Sequence, residues 1–169
     1  MSDGGAVPPS SALEKSGTGR VVIASLGNEY RRDDGAGQVV ASAAAGRLPD
    51  VHDIGPQVDP LGLLGRWDGA DLAIVVDATG AAGNPGAVRV VDLAEGGDSP
   101  GATSTHGISL SGVWRLARAV GSAPARVVVV GIEGEDFGKG PGLSAQVSAA
   151  VPHAVRKVVE LIEEACKCA

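Results

Sequence analysis

Apolar residues occur along the chain in two patterns that alternate with each other. Short continuous runs at 21–26, 71–77 and 125–132 are typical of strands that are buried on both faces of a parallel sheet. A briefer run at 51–54 predicts a further strand. The segment 87–93 instead alternates apolar with charged residues, which indicates a half-exposed strand near an edge of the sheet.

Between these runs, apolar residues recur at the spacing of helices. The segment 37–48 is rich in helix formers and is stopped by Pro49. Residues 104–107 open a second helix. A long C-terminal helix begins at Leu143 and contains Pro152, which predicts either a kink or two consecutive helices.

Two connections carry further information about the fold. Asp59 followed by Pro60 is a favourable N-cap and first position of a short helix. That helix would bury three apolar side chains, namely Leu61, Leu64 and Trp67. The connection 77–87 is too short to hold a crossover helix, so the strand that follows it is predicted to be antiparallel.

Strands that alternate with helices predict an α/β fold. We expect a three-layer sandwich in which helices flank a mixed, mostly parallel sheet of about five strands. Residues 1–19 are small and polar and are predicted to form a disordered lead-in. A single α/β domain is expected over 20–165, followed by a tail over 166–169.

Composition limits the classes of partner. The 169 residues are 44% hydrophobic and carry a formal net charge of −6 without a Lys/Arg cluster, which argues against nucleic acid and anionic membranes. Cysteine occurs only at Cys166 and Cys168, so a disulfide-built fold is excluded and two ligands make a poor metal site. No apolar run approaches the roughly 18 residues of a membrane span. We expect a cytoplasmic monomer.

Three polar positions are the candidates for chemistry. Two adjacent carboxylates, Asp33 and Asp34, follow the first strand, Asp77 ends the third strand, and His106 stands at a helix start. Ligands of such sheets bind outside the carboxyl ends of the strands, where Asp34, Asp77 and His106 would meet. Two carboxylates and an imidazole suit either a divalent first-row metal with open positions or a metal-free acid/base dyad.

Simpler roles remain open for the same residues. Asp33 or Asp34 could be a helix cap, and Asp77 could cap the loop that follows it. His106 could be an ordinary residue of a helix start, with Ser104 or Thr105 as the cap. The remaining histidines, His52 and His153, are expected at the surface or half-buried. Three acidic residues are expected in a solvated loop: Glu133, Glu135 and Asp136.

Two other enzyme classes are disfavoured by the motifs. The glycines after the first strand do not have the G-x-G-x-x-G spacing, and the Gly-Lys-Ser/Thr of a P-loop is missing. An acidic pair would also repel a phosphate. No G-x-S-x-G nucleophile elbow follows a strand, which argues against a serine hydrolase.

Four short blocks of residues occur in a characteristic order between about 21 and 164. They are Gly27-Asn28 with Asp33-Asp34-Gly35-x-Gly37, Ile74-Val75-Val76-Asp77-Ala78, Ser104-Thr105-His106-Gly107-Ile108-Ser109-Leu110, and Gly142-Leu143-Ser144 leading to Ala150-Val151-Pro152. In these blocks and their order, the chain resembles the nickel-dependent endopeptidases that mature [NiFe] hydrogenases. The resemblance implies an α/β sandwich around a mixed, twisted five-stranded sheet.

The resemblance also implies roles for individual residues. Asp34, Asp77 and His106 would bind the metal and form the catalytic site. The residues that would contact the substrate are Gly27, Asn28, Asp33 and Gln57. The implied substrate is the precursor of a [NiFe] hydrogenase large subunit, from which a C-terminal extension would be removed once its nickel is in place. Nickel would arrive with the substrate, because an oxygen-rich set with one imidazole holds a metal weakly by itself.

Several points of mechanism and function stay open in the sequence. The metal could act as a Lewis acid or polarise the attacking water, or Asp34 or Asp77 could serve as the base. A docking chaperone for the precursor that cuts nothing would use the same cleft. A metal-dependent hydrolase of small molecules on the same fold is a third possibility.

Overall fold

The computed structural model describes residues 19–95 and 108–167, which form five strands and three α-helices. The strands are β1 Val21–Leu26, β2 His52–Gln57, β3 Leu72–Thr79, β4 Val88–Asp92 and β5 Arg126–Glu133. The helices are α1 Ala36–Ala45, α2 Leu110–Ala119 and α3 Ala145–Lys167. The predictions for residues 1–18, 96–107 and 168–169 lie outside the described residues.

The strands form one sheet in the order β2-β1-β3-β5-β4. β1 pairs in parallel with β2 and β3, and β3 pairs in parallel with β5. Among the described strands β4 alone is antiparallel, as the short connection from β3 requires. The prediction of a mixed, mostly parallel five-stranded sheet in an α/β fold is therefore confirmed.

Both faces of the sheet are buried by helices. Successive residues of a strand point to opposite faces, so Ile74 and Val76 pack with α1 and α3, whereas Ala73 and Val75 pack on the side of α2. The central strands therefore read as continuous apolar runs rather than as alternating ones. The sheet is the middle layer of three.

The turn after β2 is a 3₁₀-helix over Pro60–Leu63. Its predicted cap is confirmed, because the Asp59 carboxylate accepts a hydrogen bond of 2.8 Å from the Leu61 N–H and Pro60 occupies the first position. The predicted burial was wrong in part. Leu61 is exposed and Leu64 half-buried, while Leu63 and Trp67 are fully buried. Three residues per turn, instead of 3.6, bring a different set of side chains inward.

α3 is continuous from Ala145 to Lys167 and contains Pro152, so the alternative of two consecutive helices is wrong. Pro152 lacks the N–H that would bond to the Ser148 carbonyl, but both residues lie on the exposed side, where water can replace that donor. α3 includes Cys166, an exposed free thiol at the start of the predicted tail. No helix in the described ranges combines the length and apolar character needed to cross a membrane.

α1 lies very close to the carboxyl ends of β1 and β3 at Gly37. A Cβ atom on Gly37 would stand 2.6 Å from the Val76 carbonyl oxygen and 3.0 Å from the Leu26 carbonyl oxygen. Only glycine permits this approach of helix and strand backbones. The approach brings the loop that precedes α1, with Asp33 and Asp34, against the carboxyl edge of the sheet.

Replacement of Gly37 by Ala should lower the free energy of unfolding by about 1–3 kcal/mol, because the new methyl group meets two backbone carbonyls that cannot rotate away. Urea denaturation measures the effect. Gly46→Ala at the other end of α1 is the matched control, since its Cβ would meet nothing nearer than 3.5 Å. Equal losses in the two variants would contradict the close approach at Gly37.

Candidate active site

The carboxyl ends of the four parallel strands meet at one edge of the sheet. Gln57 ends β2 opposite Leu26, the last residue of β1, and Asp77 lies near the end of β3. The loop from Gly27 to Gly35 follows β1 at the same edge. The structure therefore places Gly27, Asn28, Asp34, Gln57 and Asp77 at one edge of the sheet.

The loop after β1 fixes the Asp34 carboxylate. The Asn28 N–H donates to Asp34 Oδ2 at 3.0 Å, and Arg31 Nη1 lies 3.9 Å from the same oxygen. Asn28 in turn accepts from the Tyr30 N–H through its own side chain at 2.9 Å, which closes a tight turn. Asp34 is left with 20% of its side chain exposed, enough to meet a ligand.

Gly27 is required by this geometry. Its φ is 117°, and a Cβ there would lie 2.0 Å from the Asp34 carbonyl oxygen. Its N–H donates to the Gln57 carbonyl at 3.0 Å, which ties the loop to the end of β2. The Gln57 side chain is half-buried and its Nε2 donates to the Gly55 carbonyl at 3.4 Å.

Asp77 lies on the sheet face that α2 covers and is mostly buried. Burial, and next the negative charge of Asp34, raise the pKa of Asp77 to about 7, against the opposing effect of the Ala78 N–H. A carboxyl group with this pKa is present in both protonation states at neutral pH and can accept or release a proton there. The Asp34 carboxylate is therefore near enough to Asp77 to disfavour its charged form.

Asp33 is completely buried. Its Oδ2 accepts from the N–H groups of Glu135 and Asp136 at 2.8 and 2.9 Å, and its Oδ1 accepts from the Ser144 N–H at 2.7 Å. Burial alone would raise the pKa of Asp33, but these backbone donors outweigh it and lower the pKa below its ordinary value. Asp33 thus organises the loop 134–144.

The helix-cap interpretation of the acidic pair is not supported. Gly35 is the N-cap of α1, and no side chain bonds to the free N–H groups of its first turn. The donors to Asp33 come from residues more than a hundred positions away, and the donor to Asp34 precedes it in the loop. Asp33 therefore holds the loop 134–144, whereas Asp34 is a candidate residue of the site.

Glu133 was expected in a solvated loop, and this expectation was wrong. It is the last residue of β5, and it is 2% exposed. Its Oε1 accepts from the N–H groups of Ala82 and Asn84, each at 2.7 Å, so it holds the loop that follows β3. The signal in the sequence was its position at the end of the apolar run 127–132, which matches the position of Asp77 in β3.

His106 lies outside the described residues, so its predicted place in the site stays a prediction. α2 begins at Leu110 and its N-cap is Ser109, whose hydroxyl accepts from the Gly112 N–H at 3.2 Å, so neither Ser104 nor Thr105 is the cap. Within 19–95 and 108–167, no group of three or more His, Cys, Asp or Glu side chains is placed to hold a metal ion. His52 and His153 are exposed there, as expected.

Comparison with known proteins identifies the family. The family model described as HycI, hydrogenase maturation protease, matches residues 51–161, which is more than half of the chain. The chain belongs to the hydrogenase maturation protease family. The matched range contains Asp77 and His106 and begins after Asp34. No curated protein matches the chain.

Solved structures of maturation proteases have a similar fold. The [NiFe] hydrogenase maturation protease HybD from Thermococcus kodakarensis is 26% identical with a TM-score of 0.64, over 85% of this chain and 99% of that one. A hydrogenase 2 maturation peptidase from a Thaumarchaeota archaeon is 28% identical with a TM-score of 0.61, over 85% and 98%. An endopeptidase from Escherichia coli has a TM-score of 0.71 at 23% identity, over 86% and 93%.

The maturation protease should lose stability when Asp33 is replaced by Asn, by about 2–4 kcal/mol at pH 7, because an amide cannot accept all three backbone N–H groups. Since the folded state lowers the pKa of Asp33, its contribution is present above the ordinary pKa of 3.8 and is lost as the pH falls through the lower folded value. Urea denaturation between pH 7 and pH 2.5 should show the difference shrinking only in acid. Glu29→Gln, an exposed change in the neighbouring loop, should have no effect.

Replacement of Asp77 by Asn should stabilise the maturation protease at pH 8. The folded state raises the pKa of Asp77 from 3.8 to about 7, so the wild type loses stability as the pH rises through this interval. One pKa unit corresponds to about 1.4 kcal/mol, so the gain should be of the order of a few kcal/mol and several degrees in Tm. The test is thermal unfolding at pH 8 and pH 4 with a chelator present. Asp50→Asn, exposed, is the control, and an equal gain at both pH values would refute the electrostatic origin.

Proposed function

We propose that the chain is the endopeptidase that removes the C-terminal extension from the precursor of a [NiFe] hydrogenase large subunit after nickel insertion. The observation that carries the proposal is the position of Asp34 and Asp77 at the carboxyl edge of the sheet, where the charge of Asp34 helps to raise the pKa of Asp77. Membership of the maturation protease family supports the class of reaction. Two of the relatives above 25% identity, one of them named for [NiFe] hydrogenase, support the class of substrate.

The side chains proposed for the site fit a divalent cation presented by the substrate. Two carboxylates that repel each other are both stabilised by a cation beside them. With the imidazole of His106 they would form a mixed oxygen and nitrogen set, which first-row divalent metals accept, with positions left open for the peptide. Nickel held by Asp34, Asp77 and His106 would polarise the scissile carbonyl or the attacking water.

The other residues of the site would prepare this arrangement. Asn28 orients the Asp34 carboxylate through its N–H, and Gly27 allows the loop to approach the end of β2 beside Gln57. Asp77 would hold the metal or, as the alternative, take up the proton released by the attacking water. Asp33 would serve the substrate through the loop that it holds, because both of its oxygens are already occupied.

The test uses nickel-loaded and nickel-free precursor of a hydrogenase large subunit from the same source. The mass of the loaded precursor should fall by that of a C-terminal peptide, and the nickel-free precursor should stay intact. Asp77→Asn should slow cleavage by about 10²–10⁴-fold, the range for loss of an acid/base group. His106→Ala should abolish cleavage, whereas His153→Ala, an exposed change on α3, should leave it unchanged.

The other possible results of this test would favour other functions or a changed mechanism. Binding of the precursor without any change of mass would favour a docking chaperone. Equal cleavage of both precursors would keep the protease and remove nickel recognition. Hydrolysis of small esters or amides without a precursor would favour a small-molecule hydrolase.

A further inference from the structure

Glu133 is a buried carboxylate that the proposed chemistry does not use. It lies opposite Thr79 in the ladder of β3 and β5, two residues beyond Gly131, which lies opposite Asp77. Residues two apart on a strand point to the same face, so Glu133 shares its face of the sheet with Asp77, about 6.6 Å further along the strand direction. Burying a charged group in this position is costly unless the group is fully paired.

Glu133 makes four hydrogen bonds to the loop 80–87, two through its side chain and two through its backbone. Its Oε1 accepts from Ala82 and Asn84, its carbonyl accepts from the Gly86 N–H at 2.7 Å, and its own N–H donates to the Ala87 carbonyl at 2.9 Å. These backbone donors are the main reason that the pKa of Glu133 is lowered. The side chain is therefore an anion in a nest of backbone N–H groups.

The loop crosses the end of β5, because β3 and β4 lie on opposite sides of that strand. It begins three residues after Asp77, and its residues 80–84 are all exposed. Gly83 and Gly86 have positive φ and already provide its turns. The carboxylate bonds only to the tip of the loop, at Ala82 and Asn84, whereas the Glu133 backbone holds its end at Gly86 and Ala87. The carboxylate therefore fixes the exposed tip of a loop that begins close to the proposed site.

We infer that Glu133 is a positioning residue for the peptide substrate: its carboxylate holds the loop 80–87 as a wall of the cleft beside Asp77. The inference rests on the proposed function. The wall serves substrate binding, so its loss weakens the capture of the precursor and leaves the bond-breaking step at Asp77 unchanged.

The test compares the kinetics of Glu133→Ala and Glu133→Gln on the nickel-loaded precursor. Glu133→Ala should raise KM about tenfold, the factor for one lost hydrogen bond to a charged group, with kcat changed by less than about twofold. Glu133→Gln retains an oxygen that can accept both N–H groups and should restore most of the affinity. Glu164→Gln, which removes an exposed charge on α3, should match the wild type.

Two further measurements separate this inference from a purely structural role and from the proposed function. Amide hydrogen exchange at Ala82 and Asn84 should accelerate in Glu133→Ala by more than the loss of global stability, measured as Tm, explains. An unchanged KM, or a fall in kcat that only follows the folded fraction, would overturn the inference. If the wild type cuts nothing, the proposed function fails, and the Kd of the precursor for wild type and Glu133→Ala then decides: equal values overturn the positioning role. If Glu133→Ala does not fold, Glu133→Asp decides by the same criteria, because its shorter side chain withdraws the oxygen from the Ala82 and Asn84 N–H groups.

Discussion

The structure depends on carboxylates that are buried and satisfied by backbone N–H groups. Asp33 collects three such donors from the loop 134–144, and Glu133 collects two from the loop 80–87. A charged acceptor makes stronger hydrogen bonds than a neutral one, and an unpaired one would be very costly in the interior. Each loop is therefore fixed by one buried ion, in addition to backbone hydrogen bonds and, in the loop 134–144, the packing of Phe137 and Leu143 against the core. The loops in turn define the edge of the sheet at which Asp34 and Asp77 lie.

The carboxylates of the proposed site are arranged in the opposite way. The Asp34 carboxylate accepts one backbone hydrogen bond and lies 3.9 Å from the Arg31 guanidinium. Burial and the charge of Asp34 both disfavour the charged form of Asp77. Such an arrangement costs stability in the free protein and is relieved by a proton or a cation. The chain thus contains two kinds of acidic residue. The fold stabilises the charged form of Asp33 and Glu133, whereas it disfavours the charged form of Asp77.

Much of this could be predicted from the sequence, for reasons that are local. Continuous apolar runs marked the buried strands, and the short 77–87 connection marked β4 as antiparallel. The meeting of Asp34 and Asp77 followed from the rule for the carboxyl ends of parallel strands. The bond partners of Asp33 and Glu133 could not be predicted, because they are contributed by loops about 50 to 110 residues away. The start of α2 was also missed, since Ser104 and Ser109 are equally good caps by type alone.

The two outer strands of the sheet, β2 and β4, are poorly suited to pairing with an extended peptide. β2 carries Pro56, which has no N–H to offer, and its register against β1 shifts between Ile23 and Ala24. β4 presents Arg89 to solvent on the opposite edge. Irregular, proline-containing or charged edges are poor templates for strand addition, which protects against aggregation. For the proposed cleavage of a C-terminal extension, such edges also avoid a competing place where that extension could pair unproductively.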